Sequence, residues 1–116
     1  MAFIYAVTAD LFFAERFERA LQQLGHQARV VDLSAGPAPG PLPEGTQLAL
    51  IDLEAGPVAL ELVRAARAAG VKVLAFGPHV ETELRHAARE AGADRVVTKS
   101  KLTASFGELI AGMLEG

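Results

Sequence analysis

Leu48-Ala49-Leu50-Ile51-Asp52 is the stretch that decides the fold of this chain. Four consecutive apolar residues suit a strand buried on both faces, and the closing acid then stands at the carboxyl edge of a parallel sheet. Asp52 is the only acid at the end of an inner strand. The corresponding end of Phe3-Ile4-Tyr5-Ala6-Val7, the other continuous apolar run, carries Thr8-Ala9 and reaches no carboxylate until Asp10.

The neighbouring segments alternate between strand and helix patterns. Upstream, Phe13, Phe17, Ala20, Leu21 and Leu24 recur at i, i+4, i+7, i+8 and i+11. That spacing predicts a helix closed by Gly25, with Glu15→Arg19 as a supporting pair. Ala28 to Leu33 is less apolar and reads as an edge strand. Ser34 to Thr46 holds Pro37, Pro39, Pro41 and Pro43 with Gly36, Gly40 and Gly45. Proline removes donors and clashes with the preceding turn, so a Pro/Gly-rich crossover is expected where a second helix would otherwise lie. Its alternate prolines lack the PxxP spacing read by SH3-type grooves. Nor does it join two domains, since the 46 residues through Thr46 are too few to bury a core of their own.

Downstream, Gly56-Pro57 opens a helix with the stripe Ala59, Leu62, Val63 and Ala66, ended by Gly70. Val71 to Phe76 is the fourth strand, followed by Gly77-Pro78. Val80, Leu84, Ala87, Ala88 and Ala91 form the next stripe, stopped by Gly92. Arg95 to Thr98 is the fifth strand, and Phe106, Leu109, Ile110, Met113 and Leu114 make a C-terminal helix face. Such alternation implies right-handed βαβ units. The expectation is one α/β domain over residues 1–116, a flavodoxin-like three-layer sandwich with a parallel sheet of order 2-1-3-4-5. Its crevice lies where the strand order reverses, at the carboxyl ends of strands 1 and 3. Thr8, Asp10, Asp52, Gly77 and Lys99 all lie at such ends.

Composition narrows the function classes. Apolar residues make up 51% and charged residues 22%, with a formal net charge of −3, so no dedicated nucleic-acid surface is expected. Cysteine is absent, which excludes disulfides, thiolate metal sites and cysteine nucleophiles. No apolar run is long enough to span a membrane, and the N-terminus lacks the basic region of a signal peptide, so the expected location is the cytoplasm. The sequence holds no GxGxxG after the first strand, no GxxxxGK[ST], no GxSxG and no HExxH.

The chain resembles, over essentially its full length, the receiver domain of two-component response regulators (CheY-like). Leu50-Ile51-Asp52 resembles the phosphoacceptor strand, and Ala91-Gly92-Ala93-Asp94 before Thr98-Lys99 resembles the approach to the family's lysine. The resemblance implies that Asp52 matches the phosphoacceptor and Lys99 the lysine that contacts the phosphoryl group. It also implies departures. Thr8 and Ala9 stand where two acids hold Mg²⁺, Gly77 stands where a Ser or Thr belongs, and Ser100 replaces a proline in cis. The Lys99–Ser100 bond is therefore expected trans.

Mg²⁺ demands hard, charged oxygen ligands. One carboxylate facing one ammonium leaves the crevice near neutral, so no cofactor is expected, with Asp10 and Asp52 the weak candidates for metal ligands. Mg²⁺ would matter only to a phosphorylated form. Asp10 reads as a helix N-cap, because a one-residue shift along an extended segment turns a side chain to the opposite face. Asp52 reads in three ways: a structural ion pair with Lys99, an altered signalling site, or a working phosphoacceptor. His79, Glu83 and His86 have the spacing of a helical metal face but border the apolar stripe and should face solvent.

The resulting expectation is a stand-alone, non-enzymatic signalling domain, a pseudo-receiver that acts by binding proteins without Mg²⁺-dependent phosphorylation. Expected partners are a histidine kinase, another regulator or a second copy of the chain. The candidate surfaces are the face carrying His86, Arg89, Arg95 and Lys101, and the sheet face that loses its helix to residues 34–46. One alternative is a competent single-domain response regulator phosphorylated on Asp52. Another is a small anion- or ligand-binding flavodoxin-like module lined by Thr8, Asp52, Gly77 and Lys99.

Overall fold

Parallel strands buried on both faces must be covered by helices on both sides, and the computed structural model, which describes residues 2–33, 41–77 and 82–115, has this form. Strands β1 (Phe3–Thr8), β2 (Gln27–Asp32), β3 (Leu48–Asp52), β4 (Lys72–Gly77) and β5 (Arg95–Thr98) form one parallel sheet of order β2-β1-β3-β4-β5. All five residues of β3 are buried, as its apolar run requires. β2 lies at an edge and is buried nowhere along its length. Helices α1 (Leu11–Gln23), α2 (Pro57–Ala68), α3 (Thr82–Ala91), α4 (Lys99–Ala104) and α5 (Phe106–Glu115) connect and follow the strands, and a 3₁₀ turn covers Leu53–Ala55. No helix among the described residues is long and apolar enough to cross a membrane.

Successive strand side chains point to opposite faces, so the sheet divides the core in two. Ile4, Ala6, Leu50, Leu74 and Phe76 meet Phe17 and Leu21 of α1, Leu102 of α4, and Leu109 and Ile110 of α5. Tyr5, Val7, Ala49, Ile51, Val73 and Ala75 meet Ala59, Leu62, Val63 and Ala66 of α2 and Ala88 of α3. The first face is aromatic: Phe17 packs edge-on to Phe76 at 5.4 Å and stacks on Phe106 at 5.6 Å. The second face interleaves Tyr5, Ile51 and Leu62 with the small residues Ala49, Ala59, Ala66, Ala75 and Ala88. At Gly92 an added Cβ would lie 2.6 Å from Cδ of Arg67 and 2.7 Å from its Cβ, and the backbone there has φ of +123°. Two residues on, Asp94 exchanges two bonds with Val73, its carboxylate accepting from the Val73 N–H at 2.8 Å and its own N–H donating to Val73 O at 3.0 Å. Ala91-Gly92-Ala93-Asp94 therefore clips the start of β5 to β4.

Several local expectations are corrected. Leu24 is exposed, because α1 stops at Gln23 and Leu24 is its C-cap. Among the described residues no ion pair joins Glu15 to Arg19. β2 runs one residue earlier than read, and Leu53 leaves the sheet to open the 3₁₀ turn. Residues 99–104, to which no element was assigned, form α4, whose first turn the Thr98 hydroxyl caps by accepting from the Lys101 N–H at 3.1 Å. Between β2 and β3, residues 33 and 41–47 carry no helix, and Leu42 packs against the α2 face of the core. The rest of the proline segment, 34–40, lies outside the described residues, as do His79 and Val80.

Candidate functional site

The registers Val7↔Ile51, Asp52↔Phe76 and Gly77↔Thr98 bring the carboxyl ends of β1, β3, β4 and β5 together at one edge. Thr8, Asp10, Asp52, Gly77 and Lys99 all fall there, as the sequence expected. Thr8 and Asp52 are the buried polar residues of the described chain, both at 0% exposure.

A carboxylate this deep requires donors, and Asp52 has three. Its Oδ2 accepts from the Thr8 hydroxyl at 3.0 Å and from the Ala9 N–H at 3.0 Å. Its Oδ1 accepts from the Glu54 N–H at 2.9 Å, which makes Asp52 the N-cap of the 3₁₀ turn. Thr8 in turn accepts from the Asp10 N–H at 3.1 Å, and Asp10 caps α1 through the Phe12 N–H at 2.9 Å. One hydrogen-bonded chain thus runs from the start of α1 to the turn after β3.

Lys99 is not in that chain. The expected Asp52–Lys99 ion pair does not form. The ammonium pairs instead with Glu54 at 2.8 Å, has Asp10 Oδ2 at 4.0 Å, and lies 4.7 Å from the centre of the Phe13 ring. Asp52 is already satisfied by uncharged donors, whereas Glu54 is 43% exposed and pairs at little desolvation cost. Asp10 caps α1, as the sequence expected, and stands at the crevice as well. The chain bends at Ala9, so the two-residue alternation of a strand no longer governs where Asp10 points.

The charge expected of the crevice is therefore corrected. Three carboxylates, Asp10, Asp52 and Glu54, stand at this edge against one ammonium, which pairs with Glu54 and nears Asp10, leaving the site negative where near-neutrality was expected. Gly77 is buried beside Thr98 and contributes no hydroxyl. His86 and Arg89 of α3, Arg95 of β5 and Lys101 of α4 are all exposed, and His86 pairs with Glu90 at 3.0 Å. The sequence reading overlooked Glu54 and the Ala9 amide. An acid two residues after Asp52 was a visible signal for the first; a backbone donor has none.

No protein-family model and no curated protein sequence matches the chain. Solved structures do. A response regulator from Thermotoga maritima is 17% identical with a TM-score of 0.79, covering 100% of this chain and 99% of that one. A response regulator receiver protein from Burkholderia phymatum is 21% identical with a TM-score of 0.75, covering 99% and 96%. The beryllofluoride-activated DrrB receiver domain is 21% identical with a TM-score of 0.77, covering 100% and 99%. The flavodoxin-like receiver fold is thus common to this chain and to response regulators of two-component systems.

Proposed function

We propose, from the receiver fold and the chemistry around Asp52, that this chain is a receiver-like signalling domain that works by binding partner proteins, with Asp52 kept for structure. Receiver domains of two-component systems are signalling modules that act through proteins such as kinases, and the shared fold supports that role for this chain. The finer reading is carried by one observation: both oxygens of Asp52 are engaged by protein donors and the residue is fully buried.

A phosphoacceptor of this fold works beside Mg²⁺, and the residues here do not fit that ion. The Thr8 hydroxyl offers Asp52 a proton where a metal would take a lone pair. Asp10 has one oxygen on the Phe12 N–H and its other towards Lys99, and Glu54 holds Lys99 itself. Charge alone does not oppose the ion, since the crevice is negative; what opposes it is the lack of a free, converging set of oxygens. Among the described residues no three acids or histidines are placed to hold a metal. The negative crevice likewise disfavours the anion-binding alternative. It is also the one observation that favours a competent response regulator, in which Glu54 would release Lys99 to admit Mg²⁺.

The test is incubation with acetyl phosphate and Mg²⁺ followed by intact mass. The expected result is an unmodified chain, and a phosphoryl group on Asp52 would establish the competent alternative.

A further inference from the structure

Phe13, Arg16, Phe17 and Ala20 stand at i, i+3, i+4 and i+7, so α1 turns all four to the same side. That side meets Thr103 near the end of α4 and Phe106 at the start of α5, and together they line a cavity of about 120 Å³. Phe17 is buried, whereas Phe13 and Phe106 pack against the core while staying half-exposed. Ala20 carries only a methyl group and leaves space that a longer side chain at that position would fill.

The polar groups at the rim carry positive charge or a hydroxyl. The Arg16 guanidinium lies 5.6 Å from the centre of the Phe13 ring and, among the described residues, has no carboxylate partner. Thr103 is exposed, and its hydroxyl is engaged by no other side chain or backbone group among the described residues. No acid lines the cavity.

We propose that this cavity binds a small aromatic carboxylate, its single ring among Phe13, Phe17 and Phe106 and its carboxylate on Arg16 and Thr103. The site is separate from the Asp52 crevice and does not rest on the reading of Asp52. Size sets the ring count. An apolar cavity of ~150 Å³ holds one benzene ring, so the space here suits one ring and excludes fused systems and peptide segments. The walls favour an aromatic ring over an alkyl chain. Phe13 and Phe17 meet at 5.3 Å and 56°, and Phe17 and Phe106 at 5.6 Å and 15°, arrangements that a further ring can extend. Charge selects the carboxylate, because a guanidinium steadied on a ring offers paired donors in the fork that a carboxylate matches. The negative crevice repels such an anion, whereas this rim attracts it. The Phe13 ring also lies 4.7 Å from the Lys99 ammonium, so the cavity adjoins the crevice.

Amide NMR spectra of the full chain titrated with benzoate, to ~20 mM, test this. The expected result is a saturable shift of the Ala20, Thr103 and Phe106 resonances with a Kd on the order of 1 mM. Benzamide, which has the ring without the charge, binds ~10-fold more weakly, and acetate, which has the charge without the ring, leaves these resonances in place. Arg16→Gln weakens benzoate ~10-fold and leaves benzamide within ~2-fold. Ala20→Met fills the cavity and abolishes binding of both, and the dispersion of each variant's spectrum reports that it is folded. The absence of a saturable shift in the parent chain overturns the proposal. So does acetate acting as well as benzoate, or benzoate binding that neither substitution weakens.

Discussion

A buried carboxylate is as stable as its donors allow, and those of Asp52 are a hydroxyl and two amides. Asp52→Asn keeps the shape but turns an NH₂ towards donors. The Thr8 hydroxyl can rotate to accept, whereas neither the Ala9 nor the Glu54 N–H can. The expected cost is about 2–3 kcal/mol in urea denaturation; a variant as stable as the parent would mean that Asp52 holds nothing together. Glu54 and Lys99 call for a double-mutant cycle with Glu54→Gln and Lys99→Met. Because Glu54 is 43% exposed, a coupling of only about 0.5–1 kcal/mol is expected, falling with added salt. A salt-independent coupling would contradict a partly solvated pair. The crevice residues were legible from the strand ends, since five strands of one sheet must finish at one edge. Their partners were not. Lys99 was read onto Asp52 because both stand at strand ends, but the choice of Glu54 depends on a 3₁₀ turn that no periodicity announces, and the Ala9 amide has no side chain to read.

Helices and strands were easier to read, because burial imposes a period and burial is what fixes them. Every strand falls where its apolar run lies, displaced by at most one residue at an end. α4 escaped notice because Lys99-Ser100-Lys101 has no apolar period, and its only signal is the Thr98 cap. At the joint between α2 and α3, Gly92→Ala should cost about 1–3 kcal/mol, since its positive φ and the nearby Cβ of Arg67 both resist a side chain. Gly112→Ala in α5 is the control. No atom lies within 4 Å of the added methyl there, and about 0.5–1 kcal/mol of stabilisation is expected from helix propensity. Thermal unfolding reads both, and equal effects of the two substitutions would remove the packing argument.

The two-sided core has a single spectroscopic reporter, for Tyr5 is the only tyrosine and tryptophan is absent. Burial raises its pKa above the ordinary 10.0, with Arg29 pulling the other way. The neutral phenol is therefore favoured in the folded state. Its contribution to stability is complete below pH 10.0 and is lost as pH rises through the folded value. Ultraviolet titration should show the phenolate appearing only at higher pH than in urea; the same midpoint in both would contradict burial of this ring. The proposed binding of partner proteins is compatible with one unchanging fold, because it does not require Asp52 to be modified. That independence is the central claim, and amide NMR spectra with beryllofluoride and saturating Mg²⁺ test it most directly. Unmoved Ala9 and Glu54 resonances are expected, since both amides stay bonded to Asp52. A discrete, saturable shift of those two amides would mean that the carboxylate leaves its donors for the ligand, and would contradict the claim.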